Sequence, residues 1–317
     1  LTQPTNPSQT CTVTNGSGNV GSANVANVAV NCVTNTYTIG GTVSGLAGTG
    51  LVLQNNGGDN LAISADGVFT FSTSIGSGSA YAVTVLTQPS NLSQTCTVAN
   101  GSGNVGSANV SNVSISCSTN SFTVGGTVTG HNGTGLTLRL NVSGTIYQAA
   151  VAGNGDFAFG TPILDGSPYI VSVFVHPIGQ TCGIANGSGT LAGANVANVV
   201  VTCVANSYTI GGSVGGLAGT GLVLRNNGGN DLPISADGAF TFGVPIASGL
   251  AYNVTVFAQP TNPSQTCTVG GGSGTVGAAN VTNVVVACVT NNFTIGGNVT
   301  GLAGSGLVLQ NNSGNNL

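Results

Sequence analysis

The sequence predicts an all-β protein: a tandem array of seven-stranded antiparallel β-sandwich modules of about 85 residues, each with one disulfide. Three observations predict it. The chain repeats itself at that period, its apolar residues alternate with a period of two, and its cysteines recur in pairs at one spacing.

The repeat comes first. TYTIGGTVSGLAGTGLVLQNNGG, beginning at Thr36, returns from Ser121, Ser207 and Asn292 in closely similar form. The aromatic anchors Tyr37, Phe122, Tyr208 and Phe293 lie 85, 86 and 85 positions apart. Three modules are therefore expected at 37–121, 122–207 (the divergent copy) and 208–292. A partial repeat with C-terminal strands is expected at 1–36, and one with N-terminal strands at 293–317. Leu1 matches Leu86 and Leu317 matches Leu61, so the polypeptide is expected to continue in both directions with further copies.

Within a module, Tyr37, Ile39, Gly41 and Val43 alternate with small or polar residues, as do Leu51/Leu53, Phe69/Phe71 and Tyr81/Val83/Val85. That period marks half-buried strands. Asp66-Gly67, Asn154-Gly155 and Asp237-Gly238 precede the phenylalanine strand, and Asn15-Gly16, Asn100-Gly101 and Asn186-Gly187 follow the first cysteine. Such dipeptides tolerate positive φ and make tight turns. No 12-residue stretch carries a helical apolar stripe.

Eight cysteines fall into pairs with a constant separation of 21. If Cys11 faces Cys32 in a hairpin, Val13 faces Val30 and the apolar residues share a face. The same logic pairs Cys96 with Cys117, Cys182 with Cys203 and Cys267 with Cys288. A loop of this size stabilises a fold by about 3 kcal/mol in the chain-entropy model, and disulfides place the chain outside a reducing cytosol. A structural metal site needs close CxxC spacing or Cys/His clusters, which do not occur, so no metal and no cofactor are expected. A Ca²⁺ held between modules by backbone carbonyls alone is left open.

Composition excludes several functions. Only 3% of residues are charged, the net charge is −4, and Arg139 and Arg225 are the only Lys or Arg. Two cations cannot neutralise a run of phosphates, so neither nucleic acid nor an anionic membrane surface is an expected partner. No apolar run approaches the ~20 residues of a membrane span. With no lysine there is no phosphate-binding G-x-x-x-x-G-K motif.

The runs G-T-V-x-G-L-x-G-x-G-L-x-L, D-G-x-F-x-F and G-x-x-Y-x-V-x-V resemble the prealbumin-like sandwich of carboxypeptidase-regulatory and Cna-B-type modules. With its C-T-V-x-N-G-S-G tail, the whole module resembles the tandem Ig-like repeats of very large bacterial surface and extracellular proteins. The resemblance implies stalks, adhesins or fibres and no single activity. One departure is the absence of lysine, which excludes the Lys–Asn isopeptide that Cna-B-type modules often carry. The disulfide is expected to brace the module instead.

No catalytic constellation recurs, so no enzymatic activity is expected. His131 and His176 sit in one module only and read as loop and strand-end residues; a triad with Asp156 or Asp165 would be unique to that copy. Asp66 and Asp237 read as turn residues. Arg139 and Arg225 occupy the position of Gln54 and Gln310, pointing outward. These four are either solvated edge residues or contacts to a neighbouring module or chain. Sequons such as Asn15, Asn100, Asn186 and Asn253 accept glycans only in a cell that glycosylates secreted protein.

The expected function is structural: the repeat region of a secreted bacterial surface protein forming an extracellular filament, fibre or stalk, with copies of itself as partners. Cys32-Val-Thr-Asn-Thr-Tyr37 leaves four residues between disulfide and next anchor. So short a linker restricts reorientation. The alternative is an adhesin whose repeats bind glycans or another cell surface, with Tyr147 on an inserted hairpin as the place to look.

Overall fold

The computed structural model describes residues 2–316, and its regular elements are all strands. It divides into two compact units, Leu1–Val204 and Ala205–Leu317. Leu1 and Leu317, which the repeat alignment uses, lie outside the described residues.

The first unit opens with a hairpin of β1 (Gln9–Thr14) and β2 (Ala29–Thr34), in which Cys11 faces Cys32 and Val13 faces Val30. Next come β3 (Thr36–Tyr37), β4 (Ile39–Ser44), β5 (Leu51–Asn55), β6 (Asp59–Ile63) and β7 (Gly67–Thr70). They are followed by β8 (Ile75–Gly76), β9 (Ala80–Thr87), β10 (Gln94–Ala99), β11 (Ser102–Asn104) and β12 (Val110–Thr119). These strands form one sheet of order β10-β12-β4-β7 and a second of order β11-β9-β5-β6, with β3 and β8 as a short ribbon.

The plan then repeats. Its first half is β13 (Ser121–Phe122), β14 (Val124–Thr129), β15 (Thr137–Val142), β16 (Thr145–Ala150) and β17 (Gly155–Ala158). Its second half is β18 (Ile163–Leu164), β19 (Pro168–Val175), β20 (Gln180–Ala185), β21 (Ser188–Thr190) and β22 (Val196–Ala205). The sheet orders are β17-β14-β22-β20 and β16-β15-β19-β21.

Neighbouring strands are antiparallel except for one pair per sandwich: β4 runs parallel to β12, and β14 to β22. A period of two is common to both directions, so the alternation does not report this pairing. The consequence is functional. The first and last long strands of a sandwich lie side by side and point the same way, so the chain enters at one end and leaves at the other. The parallel ladder is irregular between Val110 and Val113, and there the two backbones touch: a Cβ on Gly41 would stand 1.8 Å from the Val113 carbonyl oxygen. Only glycine fits that crossing.

Each core lies between the two sheets. Ile39, Leu51, Leu53, Phe71 and Ile115 are fully buried in the first, and Leu136, Leu138, Leu140, Phe159 and Val199 in the second. Phe69 and Phe71 meet edge to face at 5.8 Å, and Phe157 and Phe159 at 6.1 Å. Such pairs add to simple area burial.

The second unit holds a third sandwich with the same two strand orders, and Ile210–Gly215 runs parallel to Val281–Thr290. After it, residues 291–309 contain no strand, and a two-residue ladder pairs Gln310–Asn311 with Asn315–Asn316. Ile295 and Val299, the counterparts of Ile39 and Val43, are exposed.

Candidate functional site at the sandwich junctions

The first residues to place are the cysteines. Cys11–Cys32, Cys96–Cys117, Cys182–Cys203 and Cys267–Cys288 are all bonded, each between directly opposed strand residues with Cα atoms 3.9 to 4.0 Å apart. Opposed residues this close form a non-hydrogen-bonded pair, so the N–H and C=O of Cys96 on edge strand β10 point away from the sheet. Gln88 fills that edge: its Oε1 accepts the Cys96 N–H at 2.7 Å, and its Nε2 donates to the Cys96 carbonyl at 3.0 Å. Gln3 does the same for Cys11 and Gln259 for Cys267. In the divergent sandwich His176 stands at this position, and its Nδ1 accepts the Cys182 N–H at 3.0 Å.

A second glutamine ties the hairpin to the rest of the fold. Gln94 is buried; its Oε1 accepts the N–H groups of Ala47 and Gly48, while Nε2 donates to the Gly45 carbonyl. Gln180 and Gln265 repeat the knot. Neither glutamine role emerges from the sequence alone. Their signal is recurrence: a glutamine stands two positions before every first cysteine, and another stands eight positions before Cys11, Cys96 and Cys267.

The linker is one asparagine. Asn120 lies between β12 and β13. Its N–H donates to the Ser93 carbonyl, its Nδ2 to Ser93 Oγ, and its Oδ1 accepts from Thr95 Oγ1, all within 2.9 Å. Its carbonyl accepts the N–H of Asp165 from the following sandwich at 2.9 Å. Asn35 makes the same set with Ser8, Thr10 and Ser77. In the second unit Asn291 is bonded to Ser264 and Thr266, and Asn206 accepts from Ser248.

Asp165 is buried, and it occupies the position of Ser77 and Ser248. Its Oδ2 accepts the N–H of Ser93 from the preceding sandwich at 2.6 Å, and its Oδ1 accepts that of Gly193 in its own at 2.8 Å. The Gly193 and Ser93 amides hold this carboxyl below the ordinary carboxylate range, against the opposing effect of burial. The sequence makes Asp165 a candidate triad member; the structure places it against backbone amides.

The histidines also resolve. His131 is buried, in the position of Leu46 and Leu217, with its N–H on Asn154 Oδ1. Asp66 and Asp237 serve the corresponding turns, each accepting two backbone N–H groups. Among the described residues, no group of three or more His, Cys, Asp or Glu is placed to hold a metal ion.

The Gln54, Arg139, Arg225 and Gln310 position engages its own sheet. Arg225 forks onto Asp231 at 2.5 and 2.8 Å, and its guanidinium lies 3.3 Å from the Phe257 ring centroid. That pairing lowers the Asp231 carboxyl and raises the guanidinium. Arg139 covers Phe174 in the same way, with Gln148 rather than an acid opposite it. Gln54 bonds to Asn60 at 2.7 Å and has Leu86 at the phenylalanine position. Arginine thus travels with phenylalanine, a covariation visible among the copies once the register is known. Gln310 pairs with Asn316.

No protein-family model matches the sequence, and no curated protein matches it. Among solved structures, the chain is similar to the TIE protein of Bacillus anthracis, at 10% identity and a TM-score of 0.47, over 83% of this chain and 54% of that one. It is also similar to two B repeat units of the collagen binding protein of Staphylococcus aureus (13% identity, TM-score 0.24, 81% of this chain and 75% of that one). A third is the pilus adhesin SpaC of Lactobacillus rhamnosus GG (9% identity, TM-score 0.21, 86% of this chain and 46% of that one). The chain spans about half the length of the first and third of these.

Proposed function

We propose that this chain is the structural repeat region of a secreted bacterial surface protein, with modules at 37–121, 122–207 and 208–292 built into an extracellular filament, fibre or stalk. The observation that carries the reading is the linker: Asn35 and Asn120 are single residues bonded both to the hairpin before them and to the sandwich after them. A linker with no slack, entering one end of a sandwich whose last strand leaves by the other, transmits orientation from module to module. The four disulfides support an oxidising, extracellular location. Copies of the same chain are the partners that an almost uncharged surface favours. Negative-stain microscopy of the natural polypeptide tests this: a thread with a constant axial repeat is expected, and flexible strings of independently oriented beads would overturn it.

Glycan-binding adhesin repeats are the second reading. Tyr147 packs partly against its own core, which leaves less of its ring for a sugar. A glycan array separates the two readings.

A further inference from the structure

We infer that β16 is a docking edge for the β16 strand of a second copy of this chain, paired antiparallel about a two-fold axis at Gln148.

The other edges of these four sheets are closed. β7 and β17 have four residues, and β11 and β21 three. β10 is covered at Cys96 by Gln88, and β20 at Cys182 by His176. The two counterparts of β16 are guarded differently. β6 begins with Asp59, and Asn230–Ile234 contains Asp231 and Pro233. Charge, proline and brevity are the standard protections of a strand edge. β16, TIYQAA, has six residues and none of these protections.

Register then decides what fits. β15 and β16 close through Ser143 and Gly144, both at positive φ, with Val142 opposite Thr145. In a two-residue hairpin the closing pair is hydrogen-bonded, and bonded pairs alternate from there. The N–H and C=O groups of Ile146, Gln148 and Ala150 therefore point outward from the sheet.

A second β16 centred on Gln148 satisfies those groups with about six backbone hydrogen bonds. It sets Ile146 against Ala150 of the other copy, and Tyr147 against Ala149. Each pair is large against small. The outer face gains cover for Ile146, which is 51% exposed, and the two Gln148 amides meet at the axis. The strand is neutral, so its own copy meets no like charge. An isologous contact of this kind closes on itself. A six-residue edge falls below the roughly 1,000 Å² of a stable interface, so the pairing is weak singly and gains by multiplicity in a longer array. It does not depend on the filament reading, because the 317-residue chain carries the edge by itself.

Sedimentation velocity on the disulfide-intact chain over a concentration series tests it. The wild-type chain is expected to show a reversible monomer–dimer equilibrium. Gln148→Lys sits on an exposed position and is expected to weaken that equilibrium about tenfold by facing its own charge across the axis, and Gln148→Glu, whose carboxylate lies opposite Arg139 of its own sheet, is expected to weaken it less. An equimolar mixture of the two is expected to recover the dimer as a heterodimer, which only a two-fold at this residue does. Amide exchange at Ile146, Gln148 and Ala150 is expected to slow as wild-type concentration rises. A wild-type chain that stays monomeric at millimolar concentration overturns the inference. So does a mixture no better than either variant alone, or edge amides whose exchange is independent of concentration.

Discussion

The two junctions of the first unit solve one problem with different chemistry. Between the β1–β2 hairpin and the first sandwich, Ser77 Oγ accepts the Ser8 N–H at 2.8 Å and donates to the Gly106 carbonyl at 2.7 Å. Between the first and second sandwiches, Asp165 accepts the equivalent Ser93 N–H with one oxygen and needs a donor for the other. A carboxylate cannot donate to a carbonyl. The loop supplies an amide instead, that of Gly193, whose φ is +75°. Ser107 and Ala278, at the same position in the other copies, stay out of the left-handed region. Asp165 and Gly193 are therefore one exchange in two places: an acceptor-only side chain together with the backbone conformation that turns an N–H toward it. The junction gains charge-assisted bonds and becomes dependent on ionisation.

The largest difference between the junctions is expected on truncation. Asp165→Ala leaves the amides of Ser93 and Gly193 without their acceptor, which is expected to destabilise that junction by about 3 kcal/mol. Ser77→Ala removes one neutral acceptor and one donor, for about half of that. Native-state hydrogen exchange at Ser93 and Gly193, set against Ser8 in the other variant, reads both effects. Equal acceleration at the two junctions would show that the carboxylate holds its junction no more strongly than the hydroxyl holds the other.

Next in size is the backbone half of the exchange. Gly193 faces open space, and a Cβ added there would have no atom within 4 Å. Gly193→Ala therefore meets strain alone, about 1 to 2 kcal/mol for a left-handed residue. Ser107→Gly, the reciprocal change, is expected to cost no more than the extra chain entropy of glycine, about 0.5 to 1 kcal/mol. Calorimetric unfolding of the two variants compares them. A Gly193→Ala chain as stable as wild type would show that the amide is not held for Asp165.

Acidification separates the junctions without mutation. The Asp165 carboxyl is lowered in the folded chain, so its stabilisation is complete above the unfolded value of about 3.9 and is lost as pH falls through that value toward the folded one. Exchange at Ser93 and Gly193, corrected for intrinsic rate, is expected to be unchanged between pH 7 and 5 and to accelerate below pH 4. Ser8, held by a hydroxyl, is the internal control. Parallel acceleration at Ser8 would assign the change to global unfolding.

What is legible in the sequence follows from periodicity. Alternation, the 85-residue step and the cysteine register depend on where a residue recurs, and they lead to the strands, cores and disulfides. The parallel β4–β12 pair escapes because side-chain period carries no strand direction. Gln88, Gln94 and Asn120 escape for another reason. Read one at a time they are neutral polar residues, ordinary at a surface, and their roles lie in backbone groups that only the folded edge and loop present. Asp165 is visible as an acid but not as a replacement for Ser77, because its meaning lies in the column and in Gly193, 28 residues away. His131 reads as a loop residue, yet it is buried where the other copies carry leucine.

The smallest effect is expected at the aromatic anchor, where the junctions differ by one hydroxyl. Tyr37 OH meets Ser8 Oγ at 3.0 Å, and Phe122 and Ser93 occupy the equivalent positions of the repeat. Both rings are half-buried against their cores, so each is held in place by packing and the hydroxyl adds a single partly buried neutral bond. Tyr37→Phe is expected to weaken the first junction by about 0.5 to 1 kcal/mol, since Ser8 Oγ keeps the Asn35 amide as a partner. Phe122→Tyr offers the same hydroxyl to Ser93 Oγ, which bonds to Asn120, and is expected to return no more than that amount. Unfolding temperatures of the two single variants, measured at pH 7 where Asp165 is ionised, give the answer. If the added hydroxyl of Phe122→Tyr destabilises the chain, the second junction has no room for the serine–tyrosine contact, and the carboxylate has replaced that network rather than joined it.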